Sequence, residues 1–251
     1  MMLTAAKRFR IQLPEREADM EAGTVEKCDV LDGFLGHARK DLRERLRSKF
    51  TVQTLDKGQF IFFEGDRAES FYLIEAGVVE ANVVHGDGKV YIYHFLFPGD
   101  VIGEGMLYDQ EEYPFSTVVR KDATLWRISS EDITKFVEED PGLQKYVLRI
   151  VGRKLVASYV KARCIAGERV EKRIACILLK TVDEQAGIMP SCGERLDTPL
   201  TNRDISGLIG STEETVSRVM SRLKKEGVIG IRDKQLLVLD RDALMGYFES
   251  I

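Results

Sequence analysis

At 251 residues, 44% hydrophobic and 31% charged, the chain has an ordinary soluble composition and the length for two modest domains, each with its own core. No apolar run approaches the ~20 residues of a membrane span. Met1-Met2-Leu3 leads into Lys7, Arg8 and Arg10 without the apolar segment of a signal peptide, so a cytoplasmic protein without membrane contact is expected. The net charge of −4 excludes bulk positive charge as a basis for binding nucleic acid, which would have to rest on local charge placement. Cys28, Cys164, Cys176 and Cys192 are too widely spaced for the usual zinc or iron–sulfur patterns and read as free thiols.

Residues 1–49 read as an N-terminal extension with short helices. The first 28 are polar and mixed in charge, and Leu42 and Leu46 mark a helix within residues 39–49. Residues 50–140 change character. Short runs rich in Val, Ile, Phe and Tyr alternate with glycine-containing turns, giving strands near 59–63, 71–74, 78–84, 90–97, 116–119 and 124–128. That spacing predicts a small antiparallel β-barrel or sandwich. Gly86-Asp87-Gly88 predicts a hairpin, and Ala76-Gly77 reads as a break between strands.

From Ser130 the apolar period becomes helical. Ser130 with Glu131-Asp132 starts a short helix, and Pro141 suits the first turn of a long one over residues 141–166. On it Leu148, Val151, Leu155, Ser158, Ala162 and Ile165 recur in steps of three and four. This seam predicts a dimerisation helix and a homodimer, with the small residues Ser158 and Ala162 allowing close approach.

Residues 167–251 form a second domain. Val170, Ile174, Ile177 and Leu178 mark its first helix. The run from Leu200 to Leu223 then reads as two helices around a tight turn. Thr201 with Asp204 caps the first, Gly210 supplies the turn, and Ser211 with Glu214 has the capping-box spacing for the second. Val216, Met220 and Leu223 form the buried stripe of that second helix, and Glu213, Glu214, Ser217 and Arg218 occupy the opposite face near its start. This is the pattern of a helix whose N-terminal end enters a DNA major groove. Arg218 can bond bidentately to guanine, Glu214 can accept from cytosine, and Thr201, Ser211, Thr212 and Lys224 are placed for the backbone. Residues 228–239, divided by Arg232-Asp233-Lys234, predict a two-stranded wing.

Over about residues 50–240 the sequence resembles the cAMP receptor protein / fumarate-nitrate reduction regulator (CRP/FNR) family. The resemblance is carried by Lys57-Gly58, Glu64-Gly65-Asp66, Gly77, Pro98-Gly99-Asp100, Ile102-Gly103-Glu104, Val170 to Ala175 and the second helix of the pair. It implies an α+β architecture: an N-terminal cyclic-nucleotide-binding-like antiparallel β-barrel (double-stranded β-helix), a long dimerisation helix and a C-terminal winged helix-turn-helix. It also implies a transcription regulator that binds a palindromic double-stranded DNA operator as a homodimer, works with RNA polymerase and responds to a small-molecule effector. Glu214-Thr215-Val216-Ser217-Arg218 resembles the fumarate-nitrate branch, whose half-sites resemble TTGA, with Glu213 a departure from that branch.

The resemblance places an effector site at Gly103, Glu104, Met106, Tyr113, Phe115, Ser116, Ser158 and Tyr159. Glu104 and Ser116 keep the pattern of cyclic-nucleotide binders, but Phe115 stands where their phosphate-pairing arginine would be. A buried cyclic phosphate without a cation is poorly compensated, which directs expectation to an apolar or aromatic effector near Met106, Tyr113, Phe115 and Tyr159, or to no effector at all. Cyclic AMP or haem control is the alternative, with Cys28, His37, His85 and His94 as haem-ligand candidates. An iron–sulfur cluster is not expected, because Cys28 lacks N-terminal companions. Two other classes are disfavoured. Three scattered histidines do not make the ligand set of a metal-dependent barrel enzyme, and a module that binds only ligand or protein has no use for Glu214, Ser217 and Arg218 in that array.

Overall fold

The computed structural model describes residues 30–108, 111–165, 169–185, 200–232 and 235–249. Helices α1 (Val30–Leu35) and α2 (Lys40–Arg47) precede six strands: β1 (Thr51–Leu55), β2 (Phe60–Phe62), β3 (Ser70–Val84), β4 (Val90–Leu96), β5 (Val101–Ile102) and β6 (Ser116–Ser129). All pairings are antiparallel. The order is β1-β6-β3-β4, with β2 also on β6 and β5 on β3. Helices α3 (Ser130–Glu139) and α4 (Pro141–Ile165) follow. The second domain comprises α5 (Val170–Gln185), α6 (Asn202–Ile209), α7 (Glu213–Lys225), strands β7 (Ile229–Arg232) and β8 (Gln235–Val238), and α8 (Arg241–Glu249).

The strands are longer than their sequence runs. Ala76-Gly77 does not end a strand: β3 passes through it, and the register shifts on either side absorb the irregularity. Gly77 has φ +95°, and a Cβ there would lie 2.6 Å from the Ala123 Cα of β6. Its role is close approach within a bulge. Residues 116–119 and 124–128 likewise belong to one strand, β6. Strand β1, absent from the expected set, is mostly exposed and has little alternation to reveal it. The hairpin at Gly86-Asp87-Gly88 forms, with the His85 N–H donating to Lys89 O at 2.8 Å.

The inward faces of β3 and β6 supply Ile74, Val79, Ala81, Val119 and Leu125 to the barrel core. A second cluster joins α1, α3 and α4 to the barrel through Phe34, Phe71, Ile133, Phe136, Leu143 and Val147. Helix α4 begins at Pro141 as expected, but its cap is the fully buried Asp140. One carboxylate oxygen accepts from Gly142 N and Leu143 N at 2.8 and 3.1 Å, and the other accepts from Arg39 N at 2.6 Å. The short helix before it starts at Ser130, as read from the sequence, and is capped by Ser129, whose hydroxyl accepts from Asp132 N at 3.1 Å.

Burial alone would favour the neutral acid at Asp140, but the three backbone donors and the Arg39 charge outweigh it and hold the carboxyl below its usual range. Its contribution is therefore full above the unfolded value of about 4 and lost as pH falls through the lower folded value. Replacement Asp140→Ala is expected to cost about 2 kcal/mol in urea unfolding at neutral pH. The gap between wild type and Asp140→Asn should narrow as pH falls below about 4. A gap independent of pH would exclude this role for the carboxylate.

Candidate DNA interface and sensory site

The helix pair is built by local bonds. Thr201 Oγ1 accepts from Asp204 N at 3.1 Å, and Asp204 Oδ2 accepts from Thr201 N at 2.9 Å, completing the box on α6. Gly210 closes the helix at φ +64°. The expected Ser211–Glu214 cap does not form. The Ser211 N–H donates to Ser206 O at 3.0 Å, finishing α6, so the next helix starts one residue later. Thr212 is the cap of α7, its Oγ1 accepting from Thr215 N at 3.2 Å.

Val216, Val219, Met220 and Leu223 pack against Ile174, Leu178, Ile205 and Ile209. Burying this stripe turns Glu213, Glu214, Ser217 and Arg218 to solvent at the N-terminal end of α7. The first-turn carboxylates and the basic Arg222, Lys224 and Lys225 of the last turn both complement the helix dipole. Thr201, Thr212 and Lys224 are also exposed, whereas Ser211 is half-buried. Strands β7 and β8 pair from Ile229↔Val238 to Arg232↔Gln235; residues 233 and 234 at the wing tip lie outside the described residues. Helix α8, absent from the expected elements, covers the domain with the buried Leu244. Its start is marked by Asp240, which accepts from Ala243 N at 2.9 Å.

In the barrel, Tyr113 stacks on Phe62 with ring centroids 3.5 Å apart, and its hydroxyl donates to Ser70 O at 2.7 Å. Burial pushes that hydroxyl above its usual value, so it stays protonated. Phe115 packs on the same cluster, 5.9 Å from the Tyr93 ring and 6.3 Å from those of Phe62 and His94. Met106 touches both barrel clusters. Gly103 has φ +90°, and a Cβ there would lie 2.6 Å from Ser70 O. Ser116 Oγ accepts from Glu64 N at 3.0 Å.

Two features escaped the sequence. Lys154 of α4 donates to Glu104 Oε1 at 2.6 Å and to Val101 O at 2.7 Å, so the expected effector carboxylate already has an internal cation. Thr117, beside Val119 on the inward face of β6, is fully buried, and its hydroxyl has no hydrogen-bond partner among the described residues. Ser158 and Tyr159 stand apart from this cluster. The Ser158 hydroxyl donates to Lys154 O at 2.8 Å, and Tyr159 is 65% exposed.

The haem-ligand candidates are dispersed. His37 stacks on Tyr146 with centroids 3.6 Å apart, and burial, then Arg149 and Arg43, hold it below its ordinary value. His85 lies in the hairpin, His94 lies on β4, and Cys28 falls outside the described residues. Among the described residues no three His, Cys, Asp or Glu side chains are grouped to hold a metal ion. No described helix is long and apolar enough to cross a membrane.

An antiparallel barrel, a long exposed-faced helix and a winged helix-turn-helix whose α7 leaves its N-terminal face open define a DNA-binding transcription regulator. Comparison with known proteins agrees. Residues 52–140 match the cyclic nucleotide-binding domain and residues 172–247 the Crp-like helix-turn-helix domain. The chain belongs to the CRP/FNR family of transcription regulators. Transcriptional regulatory protein btr of Bordetella pertussis is 26% identical over 226 residues, 90% of this chain and 85% of that one. The cyclic AMP receptor protein of Thermus thermophilus is 27% identical over 182 residues, 72% of this chain and 81% of that one. The solved structure of FixK2 from Bradyrhizobium japonicum shares the fold at a TM-score of 0.67 and 24% identity, covering 79% of this chain and 96% of that one.

The shift of the α7 cap is testable. Thr212→Ala should lower stability by about 1 kcal/mol in thermal unfolding, and Ser211→Ala by less than about half of that. The reverse order would restore Ser211 as the cap.

Proposed function

We propose that this regulator binds a palindromic TTGA-like operator as a homodimer and is controlled by an effector other than cyclic AMP. The carrying observation is the exposed Glu213, Glu214, Ser217 and Arg218 face of α7, backed by its buried stripe. Glu214, Ser217 and Arg218 read base edges, Thr201, Thr212 and Lys224 approach the backbone, and two readers enter major grooves about 34 Å apart. Effector binding acts by shifting the population of reader orientations.

Dimerisation is assigned to the free face of α4. Leu148 and Leu155 are half exposed and Val156 and Tyr159 stand beside them, with Val151, Ser158 and Ala162 completing the seam. An apolar row of this kind on a regulator of palindromic DNA matches a two-fold partner. Leu148→Glu/Leu155→Glu is expected to sediment as a monomer with its helix content kept. A dimer unchanged by both substitutions would move the interface elsewhere.

The effector assignment rests on Phe115 and Lys154. One relative is named a cyclic AMP receptor protein, but here Phe115 takes the phosphate-pairing position and Lys154 is committed to Glu104 and Val101 O. An aromatic or apolar molecule with one group for the unpaired Thr117 hydroxyl fits this lining better than a cyclic phosphate does.

The test is fluorescence anisotropy of a labelled TTGA-N6-TCAA duplex with and without cyclic AMP. Binding indifferent to the nucleotide is expected, and Arg218→Ala should lose about 1–3 kcal/mol of specific affinity while its non-specific binding stays. Binding that required cyclic AMP would overturn the effector assignment. Full specificity in Arg218→Ala would overturn the reader.

A further inference from the structure

The reader is joined to the barrel by a charge bridge whose two carboxylates are buried and whose arginine is partly so. Arg120 leaves the outer face of β6 and bonds Glu80 of β3 with one amino group. Its other amino group lies 2.6 Å from Asp204 Oδ1 in the first turn of α6. The two carboxylate side chains are only 4% and 2% exposed. Glu80 also accepts from Asn82 Nδ2 at 2.6 Å, and the guanidinium lies 5.7 Å from the Phe95 ring centroid. Burial works against the charged guanidinium, but Asp204 and Glu80 together outweigh it and hold it above its ordinary value. Asp204 therefore serves two structures at once. Its Oδ2 closes the α6 cap and its Oδ1 receives the barrel's arginine.

The surrounding contacts converge on the same place. Ile92 of β4 packs beneath Gly207 of α6, where a Cβ would lie 2.8 Å from Ile92 Cγ1. Lys161, near the end of α4, donates to Ile92 O and Tyr93 O at 2.5 and 2.7 Å, with its ammonium 4.6 Å from the Tyr91 ring centroid. Along β6, successive side chains face opposite sides of the sheet. Thr117 and Val119 point into the barrel, with Phe115 just before the strand packed on the same cluster, and Arg120 points out to the reader. A displacement of the sensory face thus moves the root of the arginine directly.

Such a bridge has the right energetics for a switch. While the domains are docked, losing one partner strands a buried charge, but on separation all members return to water together. The bridge therefore dictates geometry strongly without binding the domains irreversibly. We propose that Arg120, held between Glu80 and Asp204, is the positioning residue through which the barrel sets the angle of the DNA reader. This rests on the assignment of α7 as that reader.

The full-length protein is compared with Arg120→Met, which keeps the chain length but not the charge, and with Arg120→Lys. The double variant Glu80→Gln/Arg120→Met removes one stranded carboxylate and serves if the single variant does not fold. Hydrogen exchange, which needs no DNA, should become about tenfold faster over residues 202–209 and 90–96 in the Met variants, with α3 unchanged. On duplexes with N4, N6 and N8 spacers, wild type should prefer one spacing. The Met variants should bind the three within about threefold of each other, and Arg120→Lys should recover the preference. Wild-type exchange rates in the Met variants overturn the proposal, as does faster exchange with spacing preference intact. Failure of wild type to bind any duplex with specificity would sink the reader assignment instead; the exchange result would then still decide whether Arg120 docks the domains, and unchanged exchange would overturn the proposal on its own.

Discussion

Helix α4 carries apolar residues on two faces, and its own barrel covers only one. Leu143 and Val147 are fully buried beneath the barrel cluster, with Ile150 partly so and Lys154 tied to Glu104 one turn further on. Leu148, Leu155, Val156 and Tyr159 lie on the uncovered side. Fully burying one leucine is worth roughly 1.5–3 kcal/mol, so the exposed row leaves a substantial free energy for a second surface to recover. The helix also spans from the Asp140 cap to Lys161 on the β4 backbone. Anything that changes how α4 sits on the barrel is therefore felt both at the uncovered face and beside the reader.

What could be read from the amino-acid order follows the range of the interactions concerned. The helix pair of the reader was legible because its determinants are local: Thr201 with Asp204, the left-handed Gly210, and an apolar stripe at Val216, Met220 and Leu223. Even there a one-residue error arose, because Ser211 and Thr212 are chemically equivalent caps. What separates them is that the Ser211 N–H is needed to finish α6. The long strands were hidden for a different reason. Gly77 looks like punctuation until Ala123, on another strand, is seen against it. The exposed β1, the short α1 and α8 carry too little period to stand out.

The site divides in the same way. The place of Phe115 came from a resemblance over a continuous stretch, and the structure puts it with Tyr113 and Met106 on one core cluster. Lys154 with Glu104 and Arg120 with Asp204 are separated by 50 and 84 positions. In one dimension Lys154 and Arg120 read as solvated surface charges, the ordinary fate of such residues, while Glu104 and Asp204 read as an effector residue and a cap. Only the closure of the barrel and the docking of α6 turn them into partly buried partners.

These charged groups occupy the seams between elements and not the centres of the cores. Asp140 joins α2 to α4, Glu104 with Lys154 joins the barrel to α4, and Glu80 with Arg120 and Asp204 joins the barrel to the reader. Apolar contact is non-directional and tolerates rotation, whereas a buried ion pair is favourable only in a narrow geometry. A protein that must report the state of one domain as the orientation of another needs that second kind of contact at its joints. Strand β6 meets the need in the smallest space, with Thr117 and Val119 on one side of the sheet and Arg120 on the other. Because β6 is paired along its length with β3, which itself carries Glu80, a close-packed barrel transmits strain along the strand, which is what the role proposed for Arg120 requires.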